Sequence, residues 1–381
     1  MGSRGNTVTC DVGQNENFDE IERRAKMLGV KKHYLLDVKE ELVRDYIFKA
    51  IKANALYEGY YPLHSALHRY LIVKKVVEIA RKEKADAIAH GNTGLGNDQM
   101  RYDITFKTYA PDLEDIAPIR ELNMTRDQEV EYCIKNGIPL PRPKDKPYSI
   151  DENIYGRFVG DYGDAEDPTV PTPEDVFGLI DRNSTRSPLR LTINFENGVP
   201  VGINGETMNP VDLIQYVGEI AASYGYGWID FTETTVVGTK IRQTYECPAA
   251  FTLIKAHMDL EKLVLTKREL KFKHLVDIKW AELVYDGLWV DPLREALEAF
   301  IDKTQERVTG DVTLEFRPNM VMPIARKSPF SLYRKDLVTY GPESSVRQIM
   351  GKHFTELWGA GSLVSYYVLQ ERRAKKDYKS E

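Results

Sequence analysis

From residue 8 to about residue 137, short apolar runs alternate with segments whose apolar residues recur at helical spacing, and this leaves few folds open. A strand-like run at residues 8–12 precedes a helix carrying Phe18, Ile21, Ala25 and Leu28 on one face, with Gly29 as its stop. Residues 33–38 read as a strand, and residues 40–57 as a helix with Leu42, Val43, Tyr46, Ile47, Ala50 and Ile51 on its apolar side. The scheme repeats with a helix at 70–82, a buried-type strand at 85–89, a strand at 115–118 and a helix opened by the capping box Thr125/Gln128. Strands separated by helices pair in parallel, so the expectation is a parallel sheet wrapped on both faces.

The texture changes at residues 138–147, where Pro139, Pro141, Pro143 and Pro147 make a stiff extended crossing that cannot be helical. A domain boundary is expected there. Beyond it Leu189, Leu191, Ile193 and Phe195 alternate with polar residues up to Asn197-Gly198, and Val199, Val201 and Ile203 alternate after it, which is the pattern of a β-hairpin. Helices are expected at 210–224 and 248–265, the second with Pro248 at its first position, and a strand pair at 312–316 and 321–325. The fold class is therefore α/β over residues 1–145, α+β over 146–343, and a helical arm over 344–381.

Charge and cysteine content exclude several functions. Lys and Arg number 52 against 58 Asp and Glu, a net charge of -6, which speaks against a nucleic-acid-coating chain. The basic end at 372–379 reads as a solvated tail. No apolar run reaches the roughly 18 residues of a membrane span, and residues 1–7 lack a signal-peptide core. With three cysteines and no Cys-x-x-Cys, a cytoplasmic location is expected and no zinc site. His64 and His68 stand at i, i+4 without a third ligand, so they read as structural and no metal is expected.

In open parallel sheets ligands bind beyond the carboxyl ends of strands. At that position, after the strand at 85–89, lies His90-Gly91-Asn92-Thr93-Gly94-Leu95-Gly96-Asn97-Asp98-Gln99-Met100-Arg101. Its three glycines let backbone N–H groups approach an anion, and Thr93, Asn97, Asp98 and Arg101 add a hydroxyl, an amide, a carboxylate and a guanidinium. That set suits an amino-acid substrate beside a phosphate. A Walker loop and a strand-coupled Gly-x-Gly-x-x-Gly are both absent.

Five segments together carry a resemblance: Ala55-Leu56-Tyr57-Glu58-Gly59-Tyr60-Tyr61-Pro62-Leu63; the Gly91-to-Arg101 loop; Lys146-Pro147-Tyr148-Ser149-Ile150-Asp151-Glu152-Asn153; Gly238 to Arg242 with Tyr245-Glu246-x-Pro248-Ala249-Ala250; and Ser328-Pro329-x-Ser331-Leu332-Tyr333. In this order, over nearly the whole chain, they resemble argininosuccinate synthases. The resemblance implies a nucleotide-binding domain of the adenine nucleotide α-hydrolase type, then a synthetase domain and a C-terminal oligomerisation arm, in a homotetramer. It implies an ATP-dependent ligase of arginine biosynthesis: the ureido oxygen of citrulline attacks the α-phosphate of Mg-bound ATP, pyrophosphate leaves, and the amine of aspartate displaces AMP. Activation is by adenylation rather than by a protein nucleophile, so no catalytic side chain is assigned. By motif position Tyr61, Asn97, Arg101, Ser149, Glu233 and Tyr245 would hold citrulline and Thr93, Asn97 and Asp98 aspartate, with Cys10 and Gly91 against the nucleotide.

The sequence also departs from the family. The family opens with a strand and a Ser-Gly-Gly-x-Asp-Thr-Ser loop around the pyrophosphate; no Ser-Gly-Gly-x-Asp occurs in these residues, and the chain is expected to begin at the family's second strand. His64 to Tyr70 replaces Gly-Thr-Ala-Leu-Ala-Arg-Pro, Leu95 a lysine, Phe158 a citrulline-contacting serine, Thr234-Thr235 an Asn-Arg pair and Ile241 a serine. Loss of a loop lysine removes a phosphate-facing charge, and phenylalanine for serine fills substrate space. A non-catalytic binding or scaffold relative, and an adenylating ligase for another ureido or amide substrate, stand as the alternatives.

Overall fold

The computed structural model describes residues 5–94, 96–140, 148–160 and 163–377. Pro141, Pro143 and Pro147 of the crossing, Lys146-Pro147 of the third motif, Leu95 of the glycine loop and residues 378–379 of the basic end lie outside the described residues. The chain forms two compact units, Met1–Ser331 and Leu332–Glu381.

In the first unit β1 (Asn6–Asp11) and β2 (Lys32–Asp37) pair in parallel from Asn6 with Lys32 to Asp11 with Asp37. Between them α1 (Phe18–Met27) is started by Asn17, whose side chain accepts the Glu20 N–H, and carries acids in its first turn and bases in its last. The helix expected over 40–57 is found as α2 (Lys39–Leu42), a π-helical stretch (Val43–Ile47) and α3 (Phe48–Lys52), and it stops earlier than its apolar spacing suggests. Asn54 takes a left-handed φ of 43° there, and its amide donates to Glu261 and Asp277 instead of continuing the helix. Helix α4 (His64–Glu83) begins six residues before the expected Tyr70, because its first turns are buried on every side and the amphipathic period is lost.

Next come β3 (Ala87–Ala89), α5 (Asp98–Tyr109), β4 (Glu114–Ile116), α6 (Pro118–Glu121) and α7 (Arg126–Lys135), the last opened by the expected Thr125/Gln128 capping box. β3 and β4 pair in parallel. Among the described residues the parallel pairing is thus two separate two-stranded sheets rather than one continuous sheet, and α4 packs on a strand of each.

The rest of the unit is antiparallel. β5 (Ser149–Asn153) and β6 (Gly156–Gly160) join a four-stranded sheet that periodicity did not reveal. β7 (Leu189–Glu196) and β8 (Val199–Ile203) form the expected hairpin, turning at Asn197 and Gly198, both with positive φ. A short β9 (Glu206–Thr207) and helix α8 (Pro210–Ser223) follow, then β10 (Trp228–Thr234) and β11 (Lys240–Glu246), which complete the order β10-β11-β6-β5. After α9 (Pro248–Val264), α10 (Lys267–Tyr285) and α11 (Pro292–Gln305), β12 (Gly310–Arg317) and β13 (Met320–Lys327) extend the hairpin into the sheet β13-β12-β7-β8-β9. One large core, running from Leu42 and Ile47 through Leu253 and Trp280 to Phe316, spans these layers. Glu246 at the end of β11 is buried and accepts the N–H groups of Gly178, Leu179 and Ile180 as well as the Arg157 guanidinium, tying an irregular segment to the four-stranded sheet.

The second unit holds α12 (Lys335–Val338), α13 (Ile349–Trp358) and α14 (Ala360–Asp377). Leu357 and Trp358 are 82% and 74% exposed. Among the described residues no helix is long and apolar enough to cross a membrane.

Candidate functional site

The first turn of α5 sets Asp98 and Arg101 three residues apart, on one face of the helix. Arg101 Nη1 donates to Asp98 Oδ1 at 2.9 Å, and Arg69 Nε from α4 stands 3.0 Å from the other Asp98 oxygen. Arg69 also pairs with Asp151 on β5. Burial works against the Asp98 charge, but the two guanidiniums outweigh it and hold its carboxyl below the usual aspartate range. Burial wins at Asp151 and pushes that carboxyl up despite Arg69.

The remaining donors of Arg101, Nε and Nη2, reach the Tyr285 carbonyl at 3.1 and 2.9 Å, and the guanidinium lies 5.1 Å from the centre of the Tyr285 ring. The Tyr285 hydroxyl accepts from Asn97 Nδ2 at 2.8 Å and donates to Glu233. Tyr245 donates to the other Glu233 oxygen at 2.6 Å. Arg101 is 4% exposed and Glu233 2%. Burial raises the Glu233 carboxyl, and the two phenol hydrogen bonds pull it back only in part.

Tyr61 stacks on Tyr245 with ring centres 4.2 Å apart, and its oxygen meets the Ser65 hydroxyl at 2.6 Å and accepts the Ser65 and Ala66 N–H groups of the first α4 turn. His64 meets both tyrosine rings edge-on. Burial drives its imidazole down to about 4, and that of His68 well below the ordinary value, so neither is charged at neutral pH.

Tyr61, Asn97, Asp98, Arg101, Glu233 and Tyr245 are therefore gathered around Tyr285, drawn from four separate stretches of chain. Among the described residues no hydrogen bond ties Thr93 or Ser149 to them; Thr93 is exposed on the loop, and Ser149 opens β5 opposite Gly160. Cys10 lies on the wall of a cleft of about 770 Å³, shared with His68, Arg69, Asp151 and Arg157. Gly91 is exposed and does not line it. Burial raises the Cys10 thiol to about 12 and Cys247 well above its ordinary value, so neither is a thiolate nucleophile at neutral pH.

Three of the departing residues, Phe158, Thr234 and Ile241, lie beside this cluster. Phe158 lies beside Tyr245, 5.6 Å between ring centres, and its ring occupies the space a Cβ on Gly160 would need. Thr234 is held by Glu58, which takes both its N–H and its hydroxyl, and Ile241 pairs across from Glu233. No sequence motif points to Tyr285, which has none around it, or to Arg69, which falls within the departing segment His64 to Tyr70.

The family model for the arginosuccinate synthase N-terminal HUP domain matches residues 2–139, and that for the C-terminal domain matches residues 148–364. The chain is 49% identical over 371 residues to the argininosuccinate synthase of Pyrococcus furiosus, covering 97% of this chain and 90% of the relative. It is 51% identical over 341 residues to that of Methanocaldococcus jannaschii, covering 88% and 84%, and 49% identical over 353 residues to that of Dictyoglomus thermophilum, covering 93% and 88%.

Proposed function

The chain belongs to the argininosuccinate synthase family, and on that premise we propose that it is an ATP-dependent ligase joining citrulline to aspartate through a citrullyl-adenylate, with ATP bound as its magnesium complex. The observation that carries this is the arrangement of the buried Arg101 and Glu233 with the part-buried Asp98 around Tyr285, which sets one cation and two carboxylates against a zwitterionic amino acid. In this reading the citrulline α-carboxylate displaces the Tyr285 carbonyl from the fork of Arg101. Its α-ammonium replaces a phenol hydroxyl on Glu233, and the arriving positive charge favours the carboxylate against the burial that raises it.

Asp98, held ionised by Arg69 and Arg101, faces the aspartate amine together with Asn97 and Thr93. Ser149 completes the citrulline contacts, and Cys10 and Gly91 border the nucleotide. The protein aligns the ureido oxygen with the α-phosphate and excludes water; ATP supplies the chemical driving force. The high-lying Cys10 and Cys247 thiols support a reaction without a protein nucleophile.

The reading is tested with citrulline carrying ¹⁸O in its ureido group. Transfer of the label to AMP, with pyrophosphate released in step with argininosuccinate, is the expected result; unlabelled AMP, or pyrophosphate release indifferent to citrulline, would overturn it.

We further propose a cytoplasmic homotetramer assembled through the C-terminal arm. The support is the apolar surface of α13 and α14, where Leu357, Trp358, Val364 and Tyr367 are all more than half exposed. Replacing Leu357 and Trp358 together by aspartate is expected to lower the mass seen by light scattering at micromolar protein. A wild-type chain that runs as a monomer there refutes the assembly.

A further inference from the structure

His90 leads from β3 into the glycine loop, and its side chain belongs to a chain of hydrogen bonds that ends on the loop itself. Its Nδ1 accepts the Asn92 N–H at 3.3 Å, which places the ring proton on Nε2. That N–H goes to Asp103 Oδ1 of α5 at 3.1 Å, leaving the buried Asp115 Oδ1, 3.2 Å away on β4, without a donor. The second Asp103 oxygen accepts from Arg120 Nη1 of α6 at 2.6 Å. Arg120 Nη1 also donates to Gln99 Oε1 at 3.3 Å, and Gln99 Nε2 donates to the Gly94 carbonyl at 2.6 Å. The Arg120 stem lies against Gly94, where an added Cβ would stand 3.4 Å from its Cγ.

The relay grips the loop twice, at the Asn92 amide and at the Gly94 carbonyl, and refers both points to the rigid ends of β3, β4 and α5. A loop of several glycines has high conformational entropy, so fixing it in advance lowers the cost of binding a ligand on it. We propose that Arg120 and His90 are positioning residues that hold the glycine loop for aspartate, acting through Gln99 and the loop backbone rather than by touching substrate. The role of the loop in aspartate binding rests on the function proposed above; the tethering does not.

His90, Asp103 and Asp115 also bring three ligand atoms within 4.8 Å of one another, as a divalent cation would need. Two features favour the relay. A metal on Nε2 requires the ring proton to move to Nδ1, which faces the Asn92 N–H, and the Arg120 guanidinium already supplies a positive charge to Asp103.

The test uses the full-length protein with Arg120→Met, which keeps the stem, and Gln99→Ala, which cuts only the last link. Hydrogen exchange of the amides at 92–94 and 96–97 is expected to accelerate at least tenfold in both variants, with α7 unchanged. KM for aspartate is expected to rise about five- to twentyfold, with kcat within twofold of wild type and KM for citrulline, which shares only Asn97 of the loop, rising less, and Arg120→Lys to restore part of the loss. Unchanged exchange overturns the tethering, and faster exchange with an unchanged aspartate KM overturns the positioning role. Slowing of exchange in the wild type by micromolar Zn²⁺ or Mn²⁺ overturns the relay in favour of a cation site. A wild type without citrulline-dependent turnover counts against the proposed function, while the exchange result still decides the tethering.

Discussion

Arg101→Ala is expected to lower kcat/KM for citrulline by roughly 10²- to 10³-fold, mostly as a rise in KM. Removing one partner of a buried, hydrogen-bonded charge pair costs about 2–5 kcal/mol, and each 1.4 kcal/mol is about tenfold. An α-carboxylate far from the reacting ureido group is held equally in ground and transition states, so its loss appears in KM and not in kcat. Arg101→Lys keeps the charge but not the planar fork and should recover only part of the loss. The protein itself should tolerate the change, since Asp98 keeps Arg69 as a partner. Steady-state kinetics with a melting curve on the same samples separates the two effects. A folded Arg101→Ala enzyme with wild-type KM for citrulline would remove this residue from the substrate site.

The second large effect concerns stability and pH. Asp277 on α10 lies buried beside Lys273, which bridges it to Glu261, while Asn54 donates to both carboxylates. Burial raises the Asp277 carboxyl to about 7; Lys273 opposes this and Glu261 adds to it. A carboxyl raised on folding binds its proton more tightly in the native state, so native stability falls as pH climbs from the unfolded aspartate value toward 7. Across that interval the loss amounts to roughly 4 kcal/mol. Glu261 is shifted the other way, its burial outweighed by His257 and Lys273, so its stabilisation is lost only as pH falls below the ordinary glutamate range, outside this window. Asp277→Asn is expected to flatten the decline, gaining relative to wild type between pH 5 and pH 8 in urea unfolding. Equal wild-type-to-variant differences at the two pH values would show that Asp277 is ionised throughout.

Much of the architecture was legible because it is written locally. The Asn197-Gly198 turn, the Thr125/Gln128 capping box, the proline-started helices at Pro210 and Pro248, and the glycine loop after β3 each involve residues a few positions apart. The four-stranded sheet was not legible. Arg242, Gln243, Thr244, Tyr245 and Glu246 of β11 are all buried, so no alternation of polar and apolar residues marks the strand. The early stop at Lys52 was hidden for a related reason: Asn54 leaves the helix to satisfy Glu261 and Asp277, more than 200 residues away in the chain.

The sequence by itself determined the alternation that makes the parallel strand pairs, the hairpin, the helix caps, and through its ordered motifs the family. Only the tertiary structure decided what those motif residues do to one another. Asp98 and Arg101 are neighbours on one helical turn and could be paired from spacing alone. Tyr285 and Glu233 stand 184 and 132 residues from Arg101, and nothing local marks the phenol and carbonyl of Tyr285 as the bridge between them. Ionisation was decided at the same level, because whether His64, Glu233 or Asp277 carries charge depends on how much water the fold removes and which charges it brings near. Burial and partner distance belong to the packed chain, and a one-dimensional pattern encodes them only through the fold it produces.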